Sequence, residues 1–271
     1  MIRDITLGQY YPAQSVLHSL DPRVKLCGTL IYVISLFLFQ SFTGYIVASV
    51  FLVSMIVLSH VPVSFMLRGL KAIIILLVFT AVLNAFLTPG RELVSFWKIT
   101  VTIEGVRLAT FMVIRLIFLI VGSSIMTLTT TPSNLTDGLE KGLGWMKVLK
   151  VPVHEIAMMM SIALTFIPIL LEETDKIIKA QQARGADFES GNIFRRIKAL
   201  VPILVPLFVS AFRRANDLAL AMESRCYRGG EGRTKLHPLK YAGRDYIAYV
   251  LLLIYLILVV VVELKVSKGM I

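Results

Sequence analysis

Acidic side chains are the scarce class in this sequence. Its 271 residues hold 17 Asp and Glu against 28 Lys and Arg, a formal net charge of +11. No Asp or Glu occurs in four long apolar stretches, about Val24–Gln40, Tyr45–Ser59, Ala72–Leu87 and Val106–Leu128. A proton- or sodium-coupled carrier places carboxylates near the bilayer midplane, so the shortage argues against that class. Cysteine is rarer still. Cys27 and Cys226 stand far apart without metal-ligand spacing, which excludes a disulfide framework and a zinc site. There is no G-x-x-x-x-G-K-[ST] phosphate loop, and the glycines of Gly138–Gly144 and Gly229–Gly232 do not have its spacing. No H-E-x-x-H occurs, and His154-Glu155 is an isolated pair that reads as interfacial, not metal-binding. Ser123-Ser124 sits in an apolar stretch without a base and reads as packing or back-bonding. The first twenty residues lack the apolar core and small-residue cleavage site of a signal peptide. The chain therefore reads as no enzyme, with no catalytic residue, metal site or cofactor site of its own.

What is abundant is apolar length. The hydrophobic fraction is 56% and the mean hydropathy +0.79, too high for a soluble domain of this size. A bilayer core of roughly 30 Å needs about 20 mostly apolar residues in a helix. The four stretches above and a fifth, about Tyr246–Val262, meet that need. The expected fold is an all-α polytopic membrane protein of about five transmembrane helices. Its organisation is a four-span region 1–128, a long helical coupling domain 129–244, and a last transmembrane helix in 245–271. Two apolar pieces of the middle segment, Ile156–Leu171 and Ala199–Phe212, contain or abut prolines. They read either as further spans or as helices lying under the membrane. In such a chain, basic excess points to the lipid bilayer or an acidic protein partner, not to nucleic acid.

The distribution of Lys and Arg sets the orientation. With the N-terminus in the cytoplasm, 22 of the 28 fall inside, 5 outside, and Arg115 lies within a span. The uncharged Gln40–Gly44 loop is then external, and the basic coupling segment is cytoplasmic.

Three groups of residues carry candidate function. Two arginine motifs repeat: Ala180-Gln181-Gln182-Ala183-Arg184-Gly185 and Ala221-Met222-Glu223-Ser224-Arg225-Cys226. Each arginine has a small residue on either side and follows an apolar, proline-punctuated stretch. Small neighbours leave the planar guanidinium accessible to carboxylates and backbone carbonyls of a partner. The plainer alternative is two arginines snorkelling at a cytoplasmic membrane face. Asp21-Pro22-Arg23 opens the first span. Asp21 can cap free N–H groups and Pro22 fits the first helical position, so the trio serves either as a helix start or as a partner contact. Arg115 lies about nine residues into the fourth span, where it is either helix-packing glue or a functional contact.

In this order the short motifs resemble a known family, the transmembrane T components (EcfT/CbiQ-like) of energy-coupling factor transporters. The resemblance runs through Leu20-Asp21-Pro22-Arg23-Val24-Lys25-Leu26, Leu128-Thr129-Thr130-Thr131-Pro132 and Val151-Pro152-Val153-His154-Glu155. It continues through Phe166-Ile167-Pro168 and the two arginine motifs. The opening Ile5-Thr6-Leu7-Gly8-Gln9-Tyr10-Tyr11-Pro12 looks most like the type that several vitamin-binding subunits share. The resemblance implies an ATP-driven vitamin importer in a prokaryotic cell membrane. This chain would be its scaffold, joining two ABC ATPase subunits to a separate membrane-embedded substrate-binding S subunit. ATP and Mg would be bound by the ATPases, and Ala183, Arg184, Gly185, Ser224, Arg225 and Cys226 would dock them. The alternatives are a T component of a dedicated cobalt or nickel importer and the permease of an ordinary ABC transporter. Such a permease docks through E-A-A-x-x-x-G followed by I-x-L-P, and Glu223 has no such sequel. One departure matters. The family has Ala-Arg-Gly twice, whereas the second motif reads Ser224-Arg225-Cys226. A helix carrying it can run on to Gly229-Gly230, which would make the two contacts unlike and suit two different ATPases.

Overall fold

The computed structural model describes residues 10–39, 41–96, 99–186, 188, 193–230, 232, 236 and 238–269. Ile5–Gln9 of the opening motif, Gln40, Trp97 and Lys98 lie outside the described residues. The elements run α1 Pro22–Leu38, α2 Phe42–Ser59, α3 Val63–Leu87, β1 Glu92–Phe96, β2 Ile99–Thr102, α4 Ile103–Thr129 and α5 Pro132–Gly142. A 3₁₀ turn, Gly144–Leu149, leads to α6 Val153–Ala183, α7 Ile193–Ser224 and α8 Gly243–Gly269. Among the described residues the regular structure is thus helical apart from one hairpin. It divides into two compact units, one of Gly8–Gly138 with Leu239–Ile271 and one containing Leu139–Pro238.

The first unit holds α1–α4, most of α5, and α8. α1 and α4 begin on side-chain caps: Asp21 accepts from the Arg23 N–H at 2.9 Å, and Thr102 Oγ1 from the Gly105 N–H at 3.1 Å. α2, α3 and α8 are apolar around most of their circumference, so many large side chains face outward. Val50 is 68% and Ile75 81% exposed. Such surfaces are an aggregation hazard in water but match a hydrocarbon solvent. The core is aromatic and small by turns. Tyr32 and Phe39 from α1, Tyr45 and Leu52 from α2, Ile125 from α4 and Tyr255 from α8 are buried together. Gly122 faces the Tyr32 ring and Gly44 the Phe39 ring so closely that an added Cβ would collide with either. Without a hydrophobic drive between helices in lipid, such close approach and shared polar contacts hold them. Ser35 and Tyr255 hydroxyls meet at 2.6 Å between α1 and α8.

Among the described residues, five helices are long and apolar enough to cross a membrane: α2, α4, α6, α7 from Lys198, and α8 to Lys265. The number expected from sequence holds, but the set differs. α1 has only 17 residues, and α3 bends by 60° into Val63–Lys71 and Ile73–Leu87, which together make a sixth candidate. The two proline-containing apolar pieces lie within helices of 31 and 32 residues that end at the arginine motifs. Pro168, Pro202 and Pro206 lie inside them. Each proline removes one donor, yet the neighbouring turns carry the helix through.

The hairpin was not foreseen. β1 and β2 pair antiparallel with Val94 opposite Val101 and Phe96 opposite Ile99. Its signal was there in the β-branched and aromatic residues between Glu92 and Thr102. Thr102 joins it to the helices, donating to the Thr88 carbonyl at 2.8 Å while capping α4.

The orientation is testable at exposed positions. Ser41 is buried and its hydroxyl lies 2.8 Å from that of Thr43, whereas Thr43 is exposed in the first turn of α2 and Leu236 is 90% exposed. In a cysteine-free chain, Thr43→Cys is expected to react with an impermeant maleimide in intact cells. Leu236→Cys is expected to react only after permeabilisation. Labelling of Leu236→Cys in intact cells would refute the charge-based topology.

Candidate functional site: two arginine-capped helices

The second unit carries both arginine motifs. α6 ends at Ala183, and Arg184 is the residue that caps it, with φ −88° and ψ 7°. The next residue, Gly185, turns left-handed at φ +86°. Its N–H donates to the Gln182 carbonyl at 2.9 Å, and the Ala186 N–H to the Gln181 carbonyl at 3.0 Å. These are the two bonds of a Schellman motif, which satisfies carbonyls that a helix end leaves open.

α7 ends in the same way. The Cys226 N–H donates to the Glu223 carbonyl at 2.8 Å, and the Tyr227 N–H to the Met222 carbonyl at 3.0 Å. Cys226 sits at φ +55°, where its counterpart is a glycine. This corrects the expectation that the second helix continues to Gly229-Gly230. It stops at Ser224, one residue before Arg225. The two closing hydrogen bonds outweigh the cost of a left-handed cysteine, roughly 1–2 kcal/mol. Cys-for-Gly therefore changes a side chain and not the backbone path, and the inequivalence inferred from it loses its structural ground.

Both arginines are exposed, as are Ala183, Gly185, Ser224 and Cys226. Among the described residues, neither guanidinium has a side-chain hydrogen bond or ion pair. Each presents its charge at a helix C-terminus, where the macrodipole favours a cation by about 0.3–1 kcal/mol. Free, forked, positive and held at the end of a rigid helix, each suits an acidic or carbonyl-lined pocket on another protein.

One pair between the two helices was missed. Glu173 Oε2 accepts from Arg214 Nη2 at 3.3 Å, joining α6 to α7. Each of these residues stands eleven positions before its terminal arginine. At about 1.5 Å per residue, each arginine therefore lies roughly 16 Å along its helix from the same contact. The signal was legible: aligning the motifs on their arginines sets Glu172-Glu173 over Arg213-Arg214.

The remaining candidates make contacts within the chain. Asp21 binds Arg23 in a fork, with Oδ1 accepting from Nε at 3.0 Å and Oδ2 from Nη2 at 2.9 Å. Arg23 lies 3.8 Å over the Tyr241 ring. Pro22 is buried at the first position of α1, against Gly138. Arg115 donates through Nε to the Tyr45 hydroxyl at 3.0 Å and through Nη2 to the Phe39 carbonyl at 3.2 Å. These bonds tie α4 to α2 and satisfy the open end of α1. His154 Nδ1 lies 2.8 Å from Glu140 Oε1 instead of pairing with Glu155. No group of three potential ligands able to hold a metal ion occurs among the described residues.

Comparison with known proteins is consistent across the chain. A family model described as cobalt transport protein (CbiQ) matches residues 13–236. The sequence is 56% identical over 250 residues to a Clostridium kluyveri protein, covering 92% of this chain and 93% of that protein. It is 53% identical over 249 residues to one from Thermosediminibacter oceani, covering 92% and 94%. With one from Lactococcus lactis subsp. cremoris it shares 44% over 260 residues, covering 96% and 98%. All three relatives carry the name energy-coupling factor transporter transmembrane protein EcfT.

Two consequences follow for stability. Nothing lies within 4 Å of a Cβ built on Gly185, so Gly185→Ala tests backbone strain alone. It is expected to cost about 1 kcal/mol, and Cys226→Gly to add about as much, in thermal melts of the purified chain in detergent. Destabilisation by Cys226→Gly would contradict the shared helix end. For the interhelical pair, Glu173→Arg is expected to destabilise the α6–α7 contact, and adding Arg214→Glu to restore it. Failure of the double reversal to recover thermal stability would remove the pair from this role.

Proposed function

The chain belongs to the family of transmembrane T components of energy-coupling factor transporters, and from that premise we propose that it couples two ABC ATPase subunits to a separate substrate-binding membrane subunit of a vitamin importer. It is a multi-pass membrane component of a transporter. The reading is carried by one observation: two exposed, unpartnered arginines cap two helices with the same closing geometry. A symmetric pair of ends suits a pair of homologous ATPases. ATP and Mg belong to those ATPases, because this chain has no phosphate loop.

The mechanism is mechanical. ATP binding would bring the two ATPases together and displace the arginine ends. A helix of this length is stiff, so displacement of one end is passed to the Glu173–Arg214 contact and from there to the other arm. The membrane surface of the complex would then tilt or release the substrate-binding subunit. The coupling segment and the N-terminus lie in the cytoplasm on this reading, where the 17 basic residues from Lys141 to Arg244 favour retention. The family model's description favours a second reading, a dedicated cobalt importer; the relatives' shared EcfT name favours a general energy-coupling role. Partners identified by mass after co-purification from native membranes separate the two.

The decisive variants are Arg184→Glu and Arg225→Glu. Loss of a buried charge-assisted contact costs about 2–5 kcal/mol and reversal adds repulsion, so the double variant is expected to lose the ATPases on affinity purification and to abolish uptake. Lysine is expected to rescue poorly, since an ammonium cannot make a planar two-pronged contact. Full ATPase recovery and uptake by the double glutamate variant would eliminate docking through these residues.

A further inference from the structure

The membrane unit contains a cavity of about 600 Å³ between α1, α2, α4 and α8. That is the size of a small-molecule site. Its walls are almost wholly apolar, including Ile46, Val50, Phe51, Leu251 and Leu258. Its two basic residues, Lys25 and Arg244, stand at the starts of α1 and α8. These starts share one end of the bundle with the end of α4, because Lys25 Nζ donates to the Thr129 carbonyl at 2.9 Å and to the His18 carbonyl at 3.2 Å. By the distribution of basic residues this is the cytoplasmic end. Lys25 is therefore partly committed. Arg244 is exposed and has no side-chain partner among the described residues. The neighbouring carboxylates are occupied: Asp21 by Arg23, and Asp245 by the N–H groups of Asp21 and Ala242 at 2.9 and 2.7 Å.

The cavity thus has one cationic end and a long apolar body. That polarity matches a single amphiphile with an anionic head. A wholly apolar helix of a partner protein would fill the cavity but leave the Arg244 charge unmatched. We infer that this cavity is a binding site for an anionic phospholipid of the cytoplasmic leaflet, its phosphate on Arg244 and Lys25 and one acyl chain between α1, α2 and α8. The site lies in the membrane unit and makes no use of the two arginine-capped helices. It adds a lipid dependence to the transporter that is separate from ATPase docking.

The test places the full chain, purified with whatever subunits accompany it, in phosphatidylcholine nanodiscs. A trace of phosphatidylglycerol or of phosphatidylcholine carries the same photoactivatable acyl chain, and crosslinked peptides are mapped by mass. Phosphatidylglycerol is expected to label the α2 and α8 cavity residues about fivefold more than phosphatidylcholine, the advantage that one basic residue gives near a membrane surface. Arg244→Gln, at an exposed and unbonded position, is expected to reduce labelling to the phosphatidylcholine level. Val50→Trp fills the cavity from an exposed position on α2 and is expected to abolish labelling by either lipid. Free inorganic phosphate is expected not to compete. Equal labelling by both lipids, labelling indifferent to the two variants, competition by phosphate alone, or crosslinks at these residues to another protein's helix would each overturn the assignment.

Discussion

The amide of Asp21 and the carboxylate of Asp245 are 224 residues apart in sequence and 2.9 Å apart in space. This bond joins the starts of α1 and α8, the first and last helices of the membrane unit, and that unit is organised around it. Helix starts expose N–H groups, and near a bilayer there is little water to satisfy them. Asp245 answers at two places, through Asp21 and through Ala242. Asp21 caps its own helix and holds Arg23 against Tyr241. The scarcity of acid in the chain gives these two carboxylates their value. They are buried, satisfied and placed where the polypeptide enters the membrane. Arg115 meets the same constraint at the far end of α1, where its guanidinium takes up the Phe39 carbonyl.

The second unit solves a different problem, keeping two charges exposed while fixing their positions. A long side chain on a loop would lose most of its binding energy to disorder. Here each arginine caps a helix of more than thirty residues, and each helix is closed by the same pair of backbone bonds. The Glu173–Arg214 pair meets at one register on both helices. The pair is partly buried between the two helices, and its placement matters as much as its strength. It gives the two arms a common reference, from which equal distances lead to the two arginines.

The motifs were legible because their chemistry is local. Asp21-Pro22 announces a helix start, and Gly185 after Arg184 announces an end, whatever the rest of the chain does. The end at Cys226 was not legible. A left-handed cysteine has no sequence signature, and only the hydrogen bonds to Met222 and Glu223 reveal it. The two long helices ending in the arginine motifs were legible, but whether the proline-containing apolar pieces are separate segments or parts of those helices was not. Their continuity depends on the turns around Pro168, Pro202 and Pro206. The hairpin was overlooked among longer apolar runs.

The sequence by itself determined the membrane class, the sidedness expected from its basic residues, the absence of catalytic and phosphate-binding motifs, and the two arginine motifs. Those properties reside in composition, period and short-range chemistry, which survive without knowledge of partners in space. Tertiary structure alone decided that Arg115 meets Tyr45 and the Phe39 carbonyl, that Asp21 is bound to the opposite end of the chain, and that Glu173 and Arg214 pair. It alone placed Lys25 and Arg244 beside one apolar cavity. Each of these joins residues from distant segments, and no periodicity along one segment records which other segment packs against it. That is settled only when the helices satisfy their remaining polar groups against one another.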